Sequence, residues 1–152
     1  MALTSPLLVD YGRDLSCITR TQALPFPDGS IRDVTAIDLD VSMTETSGRA
    51  LLAEAVARRL VTFRGTLVDD PTYGFDVREY LNSDLSPREL AAIGAGIDNE
   101  LTKEERLLRS QTVVTFLAGV LLIAVNLVDL AGPFRLTLAV TDVSVTVLQV
   151  QP

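Results

Sequence analysis

The chain has 152 residues, a net charge of −7 and no histidine. Its densest cationic spot is Arg58-Arg59, too little to release counterions from a phosphate backbone, so no nucleic-acid partner is expected. Without histidine, Ser-His-Asp and Cys-His catalysis and most zinc sites are excluded, and no cofactor or metal is expected.

From the first residue onward, Met1-Ala2-Leu3-Thr4-Ser5-Pro6 carries neither a basic stretch nor an apolar one, so no secretory leader is expected. Cys17 has no second thiol to pair with, which suits a reducing compartment and a small buried side chain rather than a nucleophile. Residues 1–46 read as an irregular arm or docking segment, punctuated by Gly12, Pro25, Pro27 and Gly29. Only Asp33 to Met43 alternates like a strand. Residues 47–152 read as one α+β domain.

That domain opens with a helix from Ser47 to about Phe63. Leu51, Leu52, Ala55, Val56 and Leu60 share a face, while Arg49, Glu54, Arg58 and Arg59 fall largely elsewhere. Ser47 suits the N-cap and Gly65 a stop. Arg58 and Arg59 are expected on a solvated face. Asp70-Pro71-Thr72-Tyr73-Gly74 reads as a structural turn, followed by a short helical stretch near Val77 to Leu81. Ser86-Pro87-Arg88-Glu89 has the cap, the first-turn proline and the glutamate of a capping box. The helix it starts carries Leu90, Ile93, Ile97 and Leu101 inward and ends near Thr102.

The last 43 residues carry three charges (Asp129, Arg135 and Asp142), while the first 109 carry the other thirty. This tail reads as four mostly antiparallel strands, about 107–117, 120–128, 134–141 and 143–150, with the second apolar on both faces and so central. A transmembrane helix over Val113 to Val128 is disfavoured. Sixteen residues reach about 24 Å against a hydrocarbon core of about 30 Å, and the β-branched content favours strand. The fold class is therefore α+β: two main helices on a C-terminal sheet of about four strands. The final strand bears no charge, which suits an edge completed by another polypeptide; full pairing inside the chain is the alternative.

Several segments together carry a family resemblance: Tyr11-Gly12-Arg13-Asp14-Leu15-Ser16-Cys17, Ser47-Gly48-Arg49, the helix ending Ala57-Arg58-Arg59-Leu60, Arg64-Gly65-Thr66-Leu67, and Asp70-Pro71-Thr72-Tyr73-Gly74-Phe75-Asp76. The chain resembles the lysozyme-like baseplate wedge family of contractile phage tails, which has relatives in type VI secretion and in contractile injection systems. Where that family has Glu-Pro-Arg between second helix and sheet, this chain reads Glu104-Glu105-Arg106, without the rigid proline.

The resemblance implies a structural protein, not an enzyme, in a virion tail baseplate assembled in the host cytoplasm, or in the equivalent part of an injection machine. Its implied partners are the tail sheath protein and other wedge proteins, in six copies or a multiple around the tail tube, with no nucleic acid and no membrane. Sheath docking by strand addition is expected at Val143, Ser144, Val145, Thr146 and Val147. A junction or wedge contact is expected at Glu104 and Arg106. The alternative is a peptidoglycan-degrading, lysozyme-like glycosidase using a carboxylate pair from Asp69, Asp70, Asp76 and Glu79. With no tryptophan, three tyrosines and five phenylalanines, a sugar-stacking cleft would be hard to line.

Overall fold

Helical periodicity in the middle of the chain and a period of two beyond residue 107 lay out a helix layer and a sheet layer. The computed structural model has both. It describes residues 10–16, 21–25, 31–35, 43–81, 85–141 and 145–151, with the backbone alone at 21–25, 31–35 and 145–148. In chain order the elements are β1 (Arg13–Leu15), β2 (Thr21–Pro25), β3 (Ile31–Thr35), β4 (Glu45–Ser47) and α1 (Gly48–Val61). A 3-10 helix (Val77–Tyr80) and α2 (Pro87–Leu101) follow, then β5 (Leu107–Leu117), β6 (Val120–Asp129), β7 (Gly132–Val140) and β8 (Val145–Gln151). The fold is α+β, with two helices on a four-stranded antiparallel sheet of order β5-β6-β7-β8.

Alternation decides which sheet face is covered. Leu121, Ile123, Val125 and Leu127 of β6, with Phe134, Leu136, Leu138 and Val140 of β7, are buried against the helix layer. They join Leu52, Val56 and Leu60 of α1, Val77, and Ile93, Ile97 and Leu101 of α2 in one core. β6 lies between β5 and β7, but its opposite face (Leu122, Ala124, Val128) is only half-buried rather than apolar core. Val113 to Val128 is a hairpin, not a helix. Ala118 and Gly119 at its tip both have positive φ, 51° and 81°, as a tight turn between twisted strands requires. Among the described residues no helix is long and apolar enough to cross a membrane.

α2 starts as its sequence dictates. The Ser86 hydroxyl accepts from the Glu89 N–H, and the Glu89 carboxylate accepts from the Ser86 N–H. α1 departs from expectation in three ways. Ser47 occupies the N-cap but its side chain makes no capping bond, and the helix ends at Val61 with Thr62 as C-cap, two residues before the expected end near Phe63. Thr62 Oγ1 donates to the Arg58 carbonyl, closing the last turn. Residues 51–57 are all buried, Glu54 included, because β1 and β4 lie against the side of α1 that the sheet does not reach. β1 and β4 pair with each other (Asp14 opposite Thr46), as do β2 and β3 (Ala23 opposite Asp33). The alternating stretch from Asp33 to Met43 contributes only its first residues to β3; residues 36–42 lie outside the described residues, as does Cys17.

Candidate functional site

The two edges of the sheet are built differently. β8 pairs on one side with β7, Val140 opposite Val145, Ala139 opposite Thr146 and Leu138 opposite Val147. Among the described residues no strand pairs with its other side. An extra residue, Leu148, bulges out between the pairs Leu138–Val147 and Thr137–Gln149, so the strand bends there. Of the expected docking residues, Val145, Thr146 and Val147 lie on this edge strand, while Val143 and Ser144 lie outside the described residues. α1 packs over β8.

The opposite edge, β5, is met by α2. The Thr112 N–H, which does not pair with β6, donates to Asp98 Oδ2 at 3.1 Å, and Thr112 Oγ1 donates to Asp98 Oδ1 at 2.7 Å. This contact depends on a glycine: a Cβ on Gly94 would stand 3.2 Å from the Thr112 carbonyl oxygen, so α2 approaches the β5 backbone closely. A helix carboxylate thus occupies a strand donor that would otherwise be open to another chain. β5 also carries a charge, Arg109, and a register shift beside it.

Where helix meets sheet, charged side chains are buried together. Glu100 of α2 is fully buried. Its Oε1 accepts the Gly74 N–H at 2.9 Å and Arg59 at 3.4 Å, and its Oε2 accepts Arg64 at 3.1 Å and Lys103 at 2.7 Å. The Asp70-Pro71-Thr72-Tyr73-Gly74 turn is thereby docked on α2. Lys103 also donates to the Thr72 carbonyl at 2.6 Å, and Asp70 accepts both the N–H and the hydroxyl of Thr72. Gly74 is irreplaceable on geometry. Its φ is +103°, and a Cβ would lie 2.3 Å from the Thr62 carbonyl oxygen.

Arg59, expected in solvent, is instead half-buried between Glu100 and Glu104, with its guanidinium 4.4 Å from the centre of the Tyr73 ring. Glu104 is buried and accepts Arg106 Nε at 2.6 Å; Arg106 is half-buried. Glu104 and Arg106 therefore pair at this junction with glutamate, not proline, between them. Burial pushes the Glu100 and Glu104 carboxyls up, but the bonds from Lys103 and Gly74 to the first, and from Arg106 to the second, outweigh it. Both are held below the ordinary glutamate range.

A second buried node binds the N-terminal segment. Asp129, at the end of β6, accepts Tyr11 Oη at 2.7 Å, Arg49 Nε at 3.0 Å and the Ala131 N–H at 2.8 Å. Arg49 also donates to the Gly132 carbonyl and lies over the Phe134 ring. Burial raises the Asp129 carboxyl, but Arg49 and Tyr11 outweigh it and hold it below the ordinary aspartate range. Ser16 Oγ donates to buried Glu54 at 2.8 Å, and Arg58 donates to Asp14 at 3.2 Å. Residues 10–16 are thus held on α1 and β6 of their own chain.

Of the residues singled out from sequence, Glu104 and Arg106 pair with each other and Asp70 to Gly74 form a turn docked on α2, whereas Glu100, Asp98, Asp129 and Arg49 had been given no roles. The one signal for Glu100 was its position, a charge three residues after Ile97 and beside Leu101 at the inward end of α2. The carboxylates of the glycosidase alternative are spread over separate tasks. Asp70 shapes its turn, Asp76 caps the 3-10 helix and pairs with Arg78 at 2.6 Å, and Asp69 and Glu79 are exposed.

No family model matches the chain, and no curated protein matches it significantly. Among solved structures it is similar to a chain of "The baseplate complex from the type VI secretion system", with 19% identity and a TM-score of 0.49. That similarity covers 66% of this chain and 95% of the other.

Proposed function

We propose that the chain is a non-enzymatic structural component of the baseplate wedge of a contractile tail or injection machine. In this reading, six copies or a multiple surround the tail tube. Each presents β8 to an extended arm of a first-ring sheath subunit and contacts other wedge proteins near Glu104 and Arg106. The affinity comes from backbone hydrogen bonds and the register from alternating side chains. Sequence likeness in residues 11–17 and from 47 onward supports the family. The observation that carries the mechanism is the contrast between edges: β8 has an uncharged outer side without a partner strand among the described residues, while β5 is capped by Asp98.

The glycosidase alternative requires a carboxyl kept protonated near neutral pH to act as general acid. Among the described residues, every carboxyl with a displaced proton affinity is displaced downward: Asp14, Asp70, Glu89, Glu100, Glu104 and Asp129. None of these six supplies that protonated carboxyl.

Proline scanning of β8 tests the docking mechanism. Successive strand N–H groups point to opposite sides, so one of Thr146→Pro and Val147→Pro removes a bond to β7 and the other removes only an outward donor. The variant that keeps its melting temperature should leave assembled baseplates without sheath in electron micrographs. Normal sheath growth on that variant would remove β8 as the docking strand.

A further inference from the structure

A furrow runs along the helix layer beside α2, the helix that packs on β5, the edge opposite β8. Its floor is Phe75, Tyr80, Leu85 and Ile93, around a cavity of about 320 Å³. An adjoining recess of about 190 Å³ shares Phe75 and Tyr80 and extends the furrow past Glu79. The floor is preformed. Phe75 and Tyr80 stack with ring centres 5.7 Å apart, and Phe75 lies where a side chain on Gly96 would be, since a Cβ there would come within 2.5 Å of its ring.

The charges on this furrow are unbalanced. Two of the cations nearby are already engaged: Arg78 with Asp76 and the Val61 carbonyl, Arg64 with Glu100 and the Gly74 carbonyl; Arg88, next to Glu89 on α2, is exposed. Two lining carboxylates remain. Glu89 is bonded to Ser86 alone, and Glu79 is exposed; among the described residues neither pairs with a cation. The furrow therefore combines an apolar floor at Phe75, Tyr80, Leu85 and Ile93 with two carboxylates, Glu79 and Glu89, that pair with no cation among the described residues.

We propose that this furrow is a second docking site, for a short segment of another polypeptide that brings aliphatic side chains flanked by lysine or arginine. The aliphatic groups fill the space over Phe75, Tyr80 and Ile93, and the flanking cations meet Glu79 and Glu89, which set orientation and speed of encounter. This inference stands apart from strand addition at β8, because none of its residues belongs to the sheet.

The test uses the full chain with two synthetic helical peptides, one with a leucine face flanked by lysines and a counterpart with glutamates in their place. Binding is followed by NMR of the Ile93 methyls and the Tyr80 ring. The lysine peptide should perturb both signals, with affinity falling about tenfold on Glu79→Lys and further with added salt. Ala92→Trp, which fills the furrow, should abolish binding; Glu79→Lys, on an exposed side chain, serves if that variant fails to fold. Equal binding of both peptides, perturbation confined to other residues, or no binding by either peptide overturns the proposal. The β8 proline variant that keeps its fold should bind the lysine peptide normally, which separates this site from sheath docking.

Discussion

The two edges of one antiparallel sheet have been treated differently by the same chain. At β5 a helix comes close enough, through Gly94, for Asp98 to take the outward N–H of Thr112. At β8, α1 packs against the strand, and no strand among the described residues pairs with its outer side. An open strand edge risks aggregation unless it is blunted or used. In the proposed docking reading, blunting one edge and leaving the other uncharged directs strand addition to a single side. The β5 edge still exposes Leu108, Val113 and Leu117, so the difference lies in backbone donors and charge, not in apolarity.

The comparison is broken most severely by dissolving the support beneath both edges. Glu100→Ala leaves Arg59, Arg64, Lys103 and the Gly74 N–H without their common acceptor and should cost about 3–5 kcal/mol in urea unfolding. Gly74→Ala, forced into positive φ and into contact with the Thr62 carbonyl, should cost about 3 kcal/mol or more by the same measurement. Unchanged midpoints would mean that the turn is not held by this network.

Arg106→Ala leaves buried Glu104 with Arg59 alone, at 3.5 Å, and should cost about 1–3 kcal/mol, read as a lowered melting temperature. A variant that melts and assembles like the parent would reduce the pair to surface decoration. Asp98→Ala sharpens the comparison, because it should lower stability by only about 1–2 kcal/mol while freeing a donor on β5. Light scattering should then show concentration-dependent self-association that the parent lacks; a monodisperse variant would mean that Asp98 does not guard the edge.

Acid probes both buried nodes together. Glu100, Glu104 and Asp129 have folded-state affinities for protons below their ordinary values, so the unfolded chain takes up protons first as pH falls. Their contribution is fully present above the ordinary values of 4.5 for glutamate and 3.8 for aspartate, and is lost as pH drops below them toward the depressed ones. The melting temperature should be flat between neutrality and about pH 5 and fall steeply below it. A flat profile to pH 3 would contradict the assigned network.

Local chemistry was legible in the sequence. The capping box at Ser86 and Glu89, the turn at Gly119 and the period of two in β7 each depend on neighbours in the chain, and the structure has all three. What escaped depends on pairing between distant residues. Arg49 reaches Asp129, Arg59 reaches Glu100, and Glu54 meets Ser16, so charges that periodicity assigns to solvent are wholly or partly covered by elements far along the chain. Asp98 escaped for the same reason: on α2 it reads as a surface acid until β5 is placed beside it. Gly74 was legible as a turn residue, but the carbonyl of Thr62 that forbids any side chain there was not.

A cryo-electron microscopy map of the assembled particle, at a resolution that traces backbone beside this subunit, tests the account most directly. An extended segment of another polypeptide hydrogen-bonded along residues 145–151, with β5 still capped by Asp98, is the expected result. A foreign strand on β5, or a β8 whose outer side faces solvent in the finished particle, would contradict it.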